Sequence, residues 1–79
     1  MTFMIEVYLN SPPDLRCETA ISERVGQFGG RLVFQETPDA DNTWAECLTY
    51  EFSGMTRAEQ AATSLRQSSE HVEGPYPYY

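Results

Sequence analysis

The segment Glu70-His71-Val72-Glu73-Gly74-Pro75-Tyr76-Pro77-Tyr78-Tyr79 decides whether the chain completes a four-stranded sheet or ends in a loose tail. Proline has no backbone N–H to give to a ladder, so Pro75 and Pro77 exclude a central strand. They stand two residues apart, and N–H positions two apart point to the same side of a strand. Both prolines then face solvent while Tyr76 and Tyr78 donate inward. The segment reads as an edge strand beside the first strand.

Working back from it, Thr56-Arg57-Ala58-Glu59 matches a capping box, and Ala58, Ala61, Ala62 and Leu65 follow at helical spacing. Thr43 to Phe52 reads as a long strand. It sets Trp44, Leu48, Tyr50 and Phe52 on one face with Glu46, and Ala45, Cys47, Thr49 and Glu51 on the other. The bulkier set is expected to meet the helices. Pro38 to Asn42 is turn chemistry, and Arg31 to Thr37, centred on Leu32, Val33 and Phe34, is the strand before it.

Upstream, Ser11-Pro12-Pro13-Asp14 offers an N-cap, first-turn prolines and a carboxylate at the positive end of a helix dipole. Cys17, Ala20, Ile21, Val25 and Phe28 recur at spacings of three and four, and Gly29-Gly30 ends the helix. Phe3, Ile5, Val7 and Leu9 alternate with Met4, Glu6, Tyr8 and Asn10, the period of a strand with one apolar face. The order β-α-β-β-α-β resembles the ferredoxin-like plait. That resemblance implies an α+β domain over residues 1–79, with a four-stranded antiparallel sheet, two helices on one face and the last strand at an edge.

Of 79 residues, twelve are acidic and five basic, for a formal charge of -7 at pH 7. An acidic field repels phosphate backbones and anionic membranes, so neither nucleic acid nor a membrane is expected as partner. Every positive side chain is an arginine, which removes lysine Schiff-base chemistry. The opening Met1-Thr2-Phe3-Met4-Ile5-Glu6 has no basic region and meets a carboxylate early, so the expected compartment is the cytoplasm.

No cofactor or metal is expected. Cys17 and Cys47 lack the paired spacing of a zinc site, and Asp39-Ala40-Asp41-Asn42 lacks the glycine and distal glutamate of a calcium loop. Gly26, Gly29 and Gly30 follow a helix, whereas phosphate cradles precede one.

The weak catalytic candidates are His71, flanked by Glu70 and Glu73, and Glu46, stranded on an apolar strand face. A carboxylate there needs a wet margin or a partner such as Arg31. The ligand or interface candidates are Met4, Tyr8, Cys47 and Thr49 on the sheet face without helices, with Tyr76 and Tyr78 in the tail. Glu6, Gln35 and Glu51 are expected to wet that face.

The expected function is a non-catalytic binding or interaction module that self-associates as a homodimer or takes a protein or small-molecule partner. In this it resembles small regulatory plaits. The alternative resembles dimeric α+β barrel enzymes, which act on an aromatic or carbonyl substrate. There His71, Trp44 and Tyr50 would line the cavity.

Overall fold

A computed structural model describes residues 2–9, 15–36 and 46–77. Strand β1 (Phe3–Leu9) leads to helix α1 (Leu15–Gln27) and strand β2 (Arg31–Glu36). Strand β3 (Glu46–Phe52), helix α2 (Met55–Gln67) and strand β4 (His71–Pro77) follow. The sheet runs β2-β3-β1-β4 with every neighbouring pair antiparallel, so the fold is a ferredoxin-like α+β plait and β4 is an edge strand. Four features fall outside the described residues: the cap at Ser11 to Asp14, the turn at Pro38 to Asn42, the start of the third strand with Trp44 and Ala45, and Tyr78.

The alternation in β1 carries the core. Ile5 lies opposite Tyr50, and Val7 lies between Leu48 and Val72; all are buried. Ile21 and Val25 of α1 pack on this face together with Ala58, Ala61, Ala62 and Leu65 of α2, which places both helices on one side of the sheet. Ala20 is exposed, contrary to the expectation from spacing. The buried stripe of α1 follows Ile21 and Val25, and Ala20 lies one residue off it.

Each helix ends in the same reciprocal pair of backbone bonds. Gly30 N–H donates to Val25 C=O at 3.1 Å and Gly29 N–H to Gly26 C=O at 3.0 Å, with Gly29 at φ +83. In α2, Glu70 donates to Leu65 and Ser69 to Arg66, both at 3.0 Å, with Ser69 in the left-handed region at φ 67. These bonds satisfy carbonyls that the helix ends leave orphaned.

The start of α2 departs from the expected capping box. The N-cap is Gly54, in extended conformation, and no side chain caps the helix. Met55 already lies inside the helix, so Thr56 is past the position from which its hydroxyl would reach the orphan donors. The turn from Ser53 to Gly54 sets the start, and Ala58 N–H donates to Gly54 C=O at 3.3 Å.

Two register shifts sort side chains between the faces. One lies between Leu32 and Phe34 in the β2–β3 pairing, the other between Met4 and Glu6 in the β1–β4 pairing. Past the first, Phe34 lies opposite Thr49 and Gln35 opposite Leu48. Gln35 therefore points to the helix side, not to the open face it was expected to wet, because one extra residue inverts the alternation. At the second, Gly74 has φ +104, and a Cβ there would come 2.9 Å from the Met4 carbonyl oxygen.

Gly30 and Gly26 form a contrasting pair. A Cβ on Gly30 would stand 2.5 Å from Phe52 Cε2 and from Val25 Cγ1, whereas one on Gly26 meets nothing within 4 Å. Gly30→Ala should therefore destabilise the protein by about 1–3 kcal/mol through overpacking. Gly26→Ala, inside α1, should stabilise it by about 0.5–1 kcal/mol through helix propensity. Urea unfolding of both variants checks the pair, and a stabilised Gly30→Ala would refute the packing of Phe52 against the turn.

Candidate functional site

Residues directly opposite one another on antiparallel strands share a face, so the register defines the surface left open by the helices. It comprises Met4, Glu6 and Tyr8 of β1, with Cys47, Thr49 and Glu51 of β3. Arg31, Phe34 and Glu36 extend it toward β2, and His71, Glu73 and Tyr76 toward β4. Of the residues singled out from sequence, Met4, Tyr8, Cys47, Thr49, His71 and Tyr76 thus come together. Glu46 lies on the other face, and Tyr78 lies outside the described residues.

Two linked clusters occupy this surface. Tyr8 OH donates to Glu6 Oε2 at 3.2 Å, and the Cys47 thiol donates to the same oxygen at 3.8 Å. Alongside, His71 Nε2 lies 3.1 Å from Glu73 Oε1, and Tyr76 OH donates to Glu73 Oε2 at 3.5 Å. The rings of Tyr8 and His71 join the clusters edge to face, with centroids 5.6 Å apart.

Cys47 and Thr49, expected to present surface, are buried. Cys47 lies between Tyr8 and Glu36 across the sheet, and Thr49 between Glu6 and Phe34, so longer neighbours close over the small side chains. What the face presents to a partner is Phe34, at 57% exposure, and Tyr76, at 42%, amid carboxylates.

Burial, first, and then the charges of Cys47 and Glu6 push the Tyr8 hydroxyl up, so that it remains a donor. Burial likewise pushes the Cys47 thiol up, helped by the Glu6 carboxylate and opposed by hydrogen bonds from Tyr8 and Thr49. A thiol held protonated is a poor nucleophile. Cys17 packs against the helix-side core, so the sheet separates it from Cys47.

The barrel-type trio is divided. His71 is half-exposed on the open face, whereas Tyr50 is fully buried on the helix side with its hydroxyl 2.9 Å from Ser22 Oγ, and Trp44 lies outside the described residues. His71 and Tyr50 therefore cannot line one cavity. Glu46, also on the helix side, is 1% exposed, and its Oε2 accepts from Gln35 Nε2 at 2.6 Å. The expected partner Arg31 is engaged by Glu51 on the opposite face. The partner was missed because only the shifted register brings Gln35 to that side.

Among the described residues, no group of three His, Cys, Asp or Glu side chains is placed to hold a metal, and no helix is long and apolar enough to cross a membrane. The sequence matches no known family model and no curated protein.

The raised groups set a pH dependence. Tyr8, Cys47 and Tyr50 are all pushed up by burial, so as pH rises the unfolded chain loses these protons before the folded one. The stability they contribute is fully present below the ordinary thiol value, about pH 8.5, and is lost as pH climbs through the folded values. Urea midpoints should therefore hold level below that point and fall above it, and Cys47→Ala should delay the onset. A midpoint that rises with alkaline pH would contradict the burial of these groups.

Proposed function

We propose that this chain is a non-catalytic interaction module that pairs with a second copy of itself through the β2 edge. The observation that carries this reading is the contrast between the two edges of the sheet. On β4, Arg66 Nη2 donates to the carbonyls of Val72 at 2.9 Å and Gly74 at 3.0 Å, and Pro75 and Pro77 remove two N–H donors. Such devices discourage a further strand. On β2, every side chain except Val33 is exposed, including Leu32 at 42% and Phe34 at 57%. Among the described strands, β2 has a neighbour on one side only.

Charge along β2 supports a copy of the same strand as its partner. Antiparallel pairing about a two-fold axis between Val33 and Phe34 sets Arg31 of each copy opposite Glu36 of the other. The register shift supports it as well, because it brings Arg31 and Glu36, five positions apart, onto the same face. Directly opposed charges of opposite sign favour that register. Pairing through the open face would instead bring Glu6, Glu36, Glu51 and Glu73 toward their own copies, with Arg31 and His71 alone to offset them among the described residues of that face.

Light scattering over a dilution series tests the pairing. The wild-type chain should populate a dimer, and Arg31→Glu or Glu36→Arg alone should each weaken it by about tenfold, equivalent to about 1.4 kcal/mol. The double exchange Arg31→Glu with Glu36→Arg should restore it. A wild-type monomer at every concentration, or a dimer indifferent to both single exchanges, would overturn the proposal.

A further inference from the structure

The helices leave one sheet face uncovered, and a row of side chains crosses it through all four strands. Phe34 on β2 lies opposite Thr49 on β3, Thr49 opposite Glu6 on β1, and Glu6 opposite Glu73 on β4. The row therefore begins at an exposed ring, dips at a buried threonine and ends on two carboxylates. Beside its acidic end stands Tyr76, also exposed, with its hydroxyl 3.5 Å from Glu73 Oε2.

Two properties of this row ask for a partner. The first is charge. Glu6 and Glu73 face each other directly, and like charges so placed across an antiparallel pair cost stability. Glu6 Oε2 accepts from Tyr8 and Cys47, both neutral donors, and Glu73 has beside it His71, which is charged only when protonated. Arg31, on the same face, is engaged by Glu51. The second is the pair of exposed rings, Phe34 on β2 and Tyr76 on β4, which stand three strand spacings apart, or about 14 Å.

We propose that the open face docks an extended, arginine-rich segment of a partner protein, laid across the strands. Charge complementarity selects a cationic partner. The same field turns away nucleic acid, an anionic membrane and the open face of a second copy. The rings select arginine over lysine, because a planar guanidinium stacks on aromatic faces and meets carboxylates through paired N–H bonds. In an extended chain alternate side chains share one side, so the first, third and fifth residues of a segment span about 13 Å. That span matches the separation of the rings. One arginine stacks on Phe34, the next reaches over Thr49 to Glu6, and the third lies between Tyr76 and Glu73.

Calorimetry and NMR on the whole chain at low salt test this with a capped five-residue peptide, arginine at its first, third and fifth positions and serine between. One-site binding that shifts the Thr49 methyl and the Phe34 and Tyr76 ring signals supports the proposal. The lysine version of the peptide should bind more weakly by about threefold, the share of the stacking contacts. Glu6→Gln and Glu73→Gln should each weaken the arginine peptide by about tenfold, and Tyr76→Ala by about threefold. Glu59→Gln removes the same charge from an exposed position on α2, in the helix layer, and should leave binding within about twofold of wild type.

Should Glu6→Gln fold poorly, Glu73→Gln, at a half-exposed position, carries the test. The docking site lies on the face and the pairing site on the β2 edge. The Arg31→Glu/Glu36→Arg chain keeps the charge of the face and should bind the peptide as wild type, so failure of one proposal is separable from failure of the other. Equal binding of the lysine peptide, or an equal loss from Glu59→Gln, would reveal attraction to net charge alone and overturn the proposal. No binding at millimolar peptide would overturn it as well.

Discussion

Ile5 and Val7, both fully buried at the middle of β1, carry the constraint on which the rest of the molecule depends. Their strand lies between β3 and β4, so one apolar face must match Leu48, Tyr50 and Val72 across two pairings at once. Because side chains alternate strictly, fixing these residues inward fixes Met4, Glu6 and Tyr8 outward. Both helices then have one surface to cover. Alanines at positions 58, 61 and 62 let α2 pack there without large side chains of its own beyond Leu65.

The edges modify this central rule. In β4 the shift at Gly74, the prolines and the Arg66 bonds shield the outer side of the sheet. In β2 a shift of the same kind sorts side chains instead, sending Phe34 to the open face and Gln35 to the helix side. That exchange removes a polar side chain from one surface and supplies Glu46 with a side-chain hydrogen bond on the other. A single extra residue in an edge strand thereby shapes both the proposed pairing edge and the surroundings of Glu46.

Much of this is legible in the sequence. Period-two alternation in residues 3–9 and 46–52 and the spacing of Ala58, Ala61, Ala62 and Leu65 are direct consequences of burying one face, and they locate the core. The solvent-facing prolines likewise reveal an edge. What could not be read depends on tertiary geometry. The shift after Leu32 leaves no mark in composition, so the sides of Gln35 and Phe34 and the partner of Glu46 were out of reach. The capping-box pattern at Thr56 is local, and the turn at Gly54 overrode it. The open-face candidates were found by parity alone, but parity does not show that Tyr8, Glu36 and Phe34 would cover Cys47 and Thr49.

The proposed pairing therefore rests on which side of the sheet the residues after Leu32 occupy, Gln35 and Phe34 among them. The most direct measurement is a set of through-space proton contacts by NMR on the isotope-labelled chain. The register of β2 predicts contacts from the Gln35 side-chain amide to the side chains of Glu18 and Glu46, and from the Phe34 ring to the methyl of Thr49. Contacts from Gln35 to Cys47, with Phe34 against Leu48, would mean an unshifted strand and would contradict the paired charges of β2.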